Sequence, residues 1–162
     1  MIIILMGVSG SGKTTIGKLL ADSLDWEFSD ADTFHSPENI EKMRRGIPLS
    51  EADRMPWLQD LQTAIKHWLE ENQNVVLACS ALKDSYRQFL VFDSDHRIKL
   101  VYLKGSYELI QMRLKERSNH YMSEKLLNSQ FNTLEEPLDT ISMDIAQPPQ
   151  IIVQNIRTAL GI

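Results

Sequence analysis

Gly7-Val8-Ser9-Gly10-Ser11-Gly12-Lys13-Thr14 is the stretch on which the reading of this chain turns. It matches the pattern G-x-x-x-x-G-K-[ST] in full. An apolar run, Ile2–Met6, leads into it, and a segment of helical character, Lys13–Leu24, leads out. Strand, glycine loop and helix in that order make a phosphate cradle. The glycines let the chain curl until successive N–H groups converge, and the helix N-terminus adds the positive end of its dipole. In such a cradle Lys13 reaches the β- and γ-phosphates of a nucleotide and the Thr14 hydroxyl ligates Mg²⁺. The candidate nucleotide contacts are Gly7, Ser9, Gly10, Ser11, Gly12, Lys13, Thr14 and Thr15. A glycine-rich turn without a ligand is a poor competitor, because the motif and its strand–helix setting agree.

Outward from the loop, two further apolar runs, Val75–Cys79 and Ile98–Leu103, read as strands. None of the three runs alternates with polar residues, so both faces are expected to be buried, as in a parallel sheet covered by helices. A shorter strand is expected at Glu27–Asp30 and a fifth at Ile141–Ile145. Helical segments fall between them. Ser36-Pro37-Glu38 reads as an N-cap followed by a first-turn proline, with Gly46 ending that helix. Ser50-Glu51-Ala52-Asp53 resembles a capping box, and Leu58, Leu61, Ile65, Trp68 and Leu69 then recur at helical spacing. Tyr107–Glu116, Ser123–Leu134 and Pro149–Leu160 supply the remaining helices. The expected fold is a three-layer α/β/α domain with a five-stranded parallel sheet. Ligands in such folds lie at the carboxyl ends of the strands.

The 162 residues fit one domain spanning 1–162. The net charge of −5 argues against a nucleic-acid binder, which needs a basic face. A single cysteine, Cys79, excludes an intrachain disulfide and suits a reducing compartment. Met1–Met6 has no basic flank, and no apolar stretch approaches the roughly 20 residues that span a bilayer. The expectation is a cytoplasmic protein with no membrane and no nucleic-acid partner. The four histidines, His35, His67, His96 and His120, show no ligand spacing for a structural metal.

The class of phosphate-loop protein can be narrowed. Neither an Asn-Lys-x-Asp nor an Asp-x-x-Gly string occurs, which disfavours a GTPase switch. The run Val75–Cys79 passes into Ser80 rather than an acid, so a metal-holding carboxylate must come from elsewhere. Asp30-Ala31-Asp32, at the end of the second strand, is the candidate. Carboxylates at i and i+2 leave a strand end on the same side. One can serve the Mg²⁺ water shell while the other accepts the proton of an attacking hydroxyl, the division of labour that phosphoryl transfer requires. On the residues alone, an N-cap or turn pair before the next helix explains them equally well.

A longer ordered set of strings resembles the gluconokinase family. It comprises Asp30-Ala-Asp-Thr-Phe-His35, Glu38-Asn-Ile-Glu-Lys-Met43, Gly46-Ile-Pro-Leu49, Asp53-Arg-Met-Pro-Trp-Leu58 and Cys79-Ser-Ala-Leu-Lys83 with Tyr86-Arg87. Tyr102-Leu-Lys-Gly105, Arg113-Leu-Lys-Glu-Arg117, His120-Tyr121 and Gln130-Phe131 continue it, so the resemblance runs from Gly7 to about Pro148. It implies a shikimate kinase-like fold, an acceptor-binding helical region over about 33–72, a lid over about 117–125, and transfer of the γ-phosphate of ATP to gluconate. Shikimate kinases usually carry a glycine triplet where this chain has Ser80-Ala81-Leu82, a departure that points away from shikimate. Another small-molecule kinase, or a module that binds ATP without catalysis, are the competing readings. The resemblance also suggests a homodimer.

By the same resemblance, Asp30 joins Thr14 at Mg²⁺ and Asp32 holds the acceptor hydroxyl as base, with the reverse assignment open. The acceptor's carboxylate favours an arginine fork, for which Arg54 is the first candidate and Arg87 and Lys83 the next. His35 is expected to bond a substrate hydroxyl, with Trp57 either walling the pocket or packing in the core. Arg117 is expected to bring a guanidinium to the transferring group, with Arg113 near the nucleotide and Ala146-Gln147-Pro148-Pro149 against adenine. Arg44 and Arg45 close a helix, where its dipole welcomes cations.

Overall fold

The computed structural model describes residues 1–92, 96–116 and 124–162. Five strands form one sheet: β1 (Ile2–Met6), β2 (Glu27–Asp30), β3 (Val75–Ala78), β4 (Ile98–Lys104) and β5 (Ile141–Asp144). Their order is β2-β3-β1-β4-β5 and every pairing is parallel. β1 is central. Ile2 stands in register with Val75 on one side and Ile98 on the other.

The unbroken apolar composition of β1 follows from its position. Ile3 and Leu5 point into one core layer with Val76, Val101, Leu103 and Met143. Ile2, Ile4 and Met6 point into the other with Val75, Leu77 and Cys79. All five β1 side chains are fully buried. Each buried Ile or Leu contributes about 1.5–3 kcal/mol, so an alternating strand could not occupy this place.

α1 (Lys13–Leu24) and α7 (Pro149–Leu160) cover the first layer, together with α5 (Tyr107–Glu116) and α6 (Glu124–Thr133). α3 (Glu51–Glu70) covers the second through Trp57, Leu58, Leu61, Ile65 and Leu69. Its capping box is complete: Ser50 Oγ accepts from Asp53 N–H at 3.1 Å and an Asp53 oxygen accepts from Ser50 N–H at 2.9 Å. α2 (Pro37–Arg44) is capped by Ser36, and Gly46 beyond it is left-handed. Arg44 and Arg45 pair with Glu41 on that helix, as solvated charges.

Two elements go beyond the sequence reading: a 3₁₀ turn at Ala31–Phe34 and α4 (Asp84–Leu90). Both are too short to display a period of 3.6 residues over more than two turns. The strands expected to end at Cys79 and Ile145 stop one residue earlier, and β4 runs one residue further. Among the described residues, no helix is long and apolar enough to cross a membrane.

Candidate active site

The loop after β1 closes on Gly12, whose φ of +96° favours glycine, and α1 begins at the next residue. Lys13 Nζ donates to the carbonyls of Gly7 at 2.9 Å and Val8 at 3.0 Å, so its ammonium lies over the first turn of the loop. Ser9 faces outward to α6. Its N–H donates to Gln130 Oε1 at 2.7 Å and its Oγ accepts from Gln130 Nε2 at 3.0 Å. Gly10 is left-handed at φ +82°, and a methyl there would press on Leu114 and Ile110 of α5 at 3.0–3.1 Å. The Ser11 N–H donates back to Val8 O at 3.2 Å, and its hydroxyl is buried with no hydrogen-bond partner among the described residues. Thr14 and Thr15 stand exposed on the first turn of α1.

β3 lies between β1 and β2, so the acidic pair is one strand removed from the phosphate loop rather than next to it. The 3₁₀ turn bridges that gap. Asp30 Oδ1 accepts from Asp32 N–H at 2.9 Å, and the Thr33 hydroxyl donates to Asp30 O at 2.7 Å. Asp30 therefore does cap the turn, and in doing so aims Asp32. The Asp32 carboxyl reaches solvent, yet the protein crowded around it raises its pKa. The neighbouring charge of Asp30 raises it further, while the Lys13 ammonium opposes both. Asp32 and Lys13 thus share one electrostatic field.

The helical region beyond β2 packs against the turn that carries Asp32. His35 is buried, its ring stacked on Trp57 at 4.4 Å between centroids. Trp57 Nε1 donates to Ala31 O at 2.8 Å, locking α3 onto the turn that carries Asp32. Asn39 Nδ2 bridges His35 Nδ1 at 3.2 Å and Asp53 O at 2.8 Å. Burial, and then the nearby Arg54 guanidinium, push the His35 pKa down to about 4.

Arg54 and Lys83, from α3 and the loop before α4, converge on one group. Glu51 Oε1 accepts from Lys83 Nζ at 2.6 Å and from the Tyr86 hydroxyl at 2.7 Å, with Arg54 Nη1 at 3.9 Å. Arg54 Nη1 also donates to Tyr86 Oη at 3.2 Å. The Lys83 and Tyr86 bonds hold the Glu51 carboxyl below its usual range. Arg87 is not part of this group. Its guanidinium is buried, with Nη1 donating to Ala81 O at 2.8 Å and Leu82 O at 3.0 Å and Nη2 to Glu135 O at 2.8 Å. It braces the turn after β3. In that turn Ala81 has φ +43°, so the chain keeps the left-handed geometry that glycine favours while carrying a methyl.

Arg113 Nη2 donates to Ile145 O at 2.5 Å, which ties α5 to the loop after β5. Arg117 and the segment 117–123 of the expected lid lie outside the described residues. The donors near the loop suit Mg²⁺, a hard cation that takes oxygen ligands and prefers one or two carboxylates together with substrate phosphates. Thr14 offers an exposed hydroxyl, and among the described residues Asp30 engages Oδ1 in its side-chain hydrogen bond. Among the described residues, no group of three or more His, Cys, Asp or Glu could hold an ion alone.

Glu51, Tyr86, Asn39 and Gln130 join the site without a role that their sequence pattern alone indicates. Glu51 was visible only as a capping-box member, and Gln130 is 121 residues from the serine it bonds. The i, i+3 spacings of Glu51 to Arg54 and Lys83 to Tyr86 were the available signal.

A family model described as shikimate kinase matches residues 9–159. The chain is 46% identical over 152 residues to a probable gluconokinase of Mus musculus, covering 84% of this chain and 83% of the relative. It is 42% identical to the thermosensitive gluconokinase of Escherichia coli K12, covering 97% and 86%. A crystal structure of a gluconokinase from Sinorhizobium meliloti 1021 superposes with a TM-score of 0.87 at 41% identity, over 98% of this chain and 90% of that one. A shikimate kinase from Aquifex aeolicus, at 21% identity and a TM-score of 0.60, shares the fold. By identity over most of its length, the chain belongs to the gluconokinase family of shikimate kinase-like kinases.

Proposed function

We propose that this kinase transfers the γ-phosphoryl group of ATP to D-gluconate, giving 6-phospho-D-gluconate and ADP. The observation that carries the reading is the phosphate loop with Lys13 held over its first turn, together with a cationic pair, Arg54 and Lys83, gathered on one carboxylate. The relatives named gluconokinase, at 41–46% identity, support the choice of acceptor.

In this mechanism Asp32 takes the proton of the attacking hydroxyl. Its raised pKa strengthens it as a base, which suits the task. Lys13 neutralises charge on the β- and γ-phosphates, and the backbone N–H groups of Gly10, Gly12, Lys13, Thr14 and Thr15 cradle them. Thr14 and Asp30 would hold Mg²⁺, which supplies neutralising charge to the phosphates when bound. Arg54 and Lys83 receive the gluconate carboxylate, and His35 lines the acceptor side. Arg87 supports that side by fixing the Ala81–Leu82 turn. Arg113 works on the nucleotide side, and Arg117 would stabilise the transferring group from the lid. A single free cysteine, Cys79, suits a reducing compartment, and on that ground the enzyme is proposed to be cytoplasmic.

The test is ADP release from Mg·ATP with D-gluconate, other aldonates, shikimate and nucleosides as separate acceptors. Gluconate-dependent turnover with 6-phosphogluconate as product supports the proposal. Turnover only with another acceptor keeps the mechanism and overturns the substrate. ATP binding without turnover on any of them favours the non-catalytic reading.

A further inference from the structure

We propose that Gln130 is a positioning residue for Lys13 and acts through the single peptide unit that joins Val8 to Ser9. The two bonds that define this unit point in opposite directions. Its carbonyl, on Val8, accepts from Lys13 Nζ at 3.0 Å. Its N–H, on Ser9, donates to Gln130 Oε1 at 2.7 Å. The side chain that serves the phosphates is therefore joined to α6 by a three-member hydrogen-bonded chain. The orientation of the Gln130 amide is set by its partners: the Ser9 N–H can only donate, so the amide oxygen must face it. The amide nitrogen then closes the pair on Ser9 Oγ at 3.0 Å.

The Ser9 N–H bond restrains rotation of the peptide plane, and the Oγ bond holds the Ser9 side chain against the same amide. Rotation of that plane would swing the Val8 carbonyl away from the Lys13 ammonium. Hydrogen bonds in series also polarise one another, so the Ser9–Gln130 bond strengthens the Val8 carbonyl as an acceptor. Gln130 is itself held. Leu127, one turn earlier on α6, is buried in the core, and Phe131 packs edge-on to Tyr107 of α5 at 5.3 Å between centroids. α6 begins within the segment expected to form the lid. A movement of that helix would reach Lys13 along this chain of bonds.

The proposal rests on the phosphate-loop reading of Lys13 and needs no acceptor, so it is tested by binding alone. Affinity for β,γ-imido-ATP is measured by calorimetry for the parent, Gln130→Met, Lys13→Met and the double variant. Gln130→Met keeps the length of the side chain and removes its hydrogen bonds. It is expected to weaken binding about fivefold to tenfold when Lys13 is present, and less than about twofold when Lys13 is already methionine. Equal weakening in both backgrounds would mean a general structural role and overturn the proposal, as would no weakening in either. Should Gln130→Met fail to fold, the parent protein gives a second reading. Scalar coupling across the hydrogen bond, from the Ser9 amide nitrogen to the Gln130 side-chain carbonyl carbon, is expected in the presence of the analogue, and its absence there overturns the coupling to Lys13.

Discussion

The imidazole of His35 lies flat on the indole of Trp57, with ring planes 9° from parallel. Around this pair, α2, α3 and the turn carrying Asp32 are joined. Asn39 Nδ2 can only donate, so His35 Nδ1 must accept from it and the ring proton sits on Nε2. A second proton on Nδ1 would face a donor, with the Arg54 charge nearby.

That arrangement makes stability depend on pH in a stated direction. His35 titrates near 4 in the folded chain and near 6.5 when unfolded. Between those values the unfolded chain binds a proton that the folded chain does not. Stability is therefore full above about pH 6.5 and falls as the pH drops toward 4, by about 2–3 kcal/mol. Urea unfolding at pH 7 and pH 4.5 measures the slope, and His35→Gln should flatten it. An unchanged slope in that variant would show that other groups set it.

Asp32→Asn is expected to lower kcat by roughly 10²–10⁴ while ATP still binds. Near-normal turnover would remove Asp32 from the role of base. Asp30 supplies part of the upward pressure on Asp32, so Asp30→Asn should lower the Asp32 titration. Because the folded pKa is raised, any stability Asp32 contributes is present at low pH and lost as the pH rises through its folded value. Carboxyl-carbon NMR of Asp32 in the two proteins reads the shift, and a titration that stayed in place would contradict the coupling.

The strands and the loop were legible because their chemistry is local. Ile2–Met6 is apolar throughout because both faces are buried, and Gly12-Lys13-Thr14 needs its residue types whatever the remainder of the fold does. Polar side chains were legible only as types. Arg54 and Arg87 looked alike as candidates, yet one meets Tyr86 and Glu51 at the cleft while the other is enclosed by carbonyls. That difference is set by α4, a two-turn helix whose burial of Tyr86, Arg87 and Leu90 leaves too few positions for a period to show. Glu51 and Gln130 escaped for a related reason: their partners at the site, Lys83 and Ser9, are brought to them only by tertiary packing.

Arg87→Lys tests the bracing role. The ammonium cannot reproduce the fork that holds the Ala81, Leu82 and Glu135 carbonyls. A cost of about 3 kcal/mol is expected, or roughly 6–12 °C in Tm for a chain of this size. If Tm held while KM for gluconate rose, Arg87 would be a carboxylate ligand after all.

Glu51 sets an internal carboxylate between the two cations assigned to the acceptor's carboxylate. Its side chain is more than half exposed, so the pairing contributes little to stability. Its effect falls on binding instead, because an incoming anion must compete with it for Lys83 and Arg54. Glu51→Gln removes the charge and keeps the shape. The expected result is a KM for gluconate lowered about threefold to tenfold, with kcat and Tm close to the parent, and a difference that shrinks as salt screens the competing charge. A KM that rose would mean that Glu51 aims Lys83 and Arg54 rather than competing for them, and the two effects are separated by steady-state kinetics at low and high ionic strength.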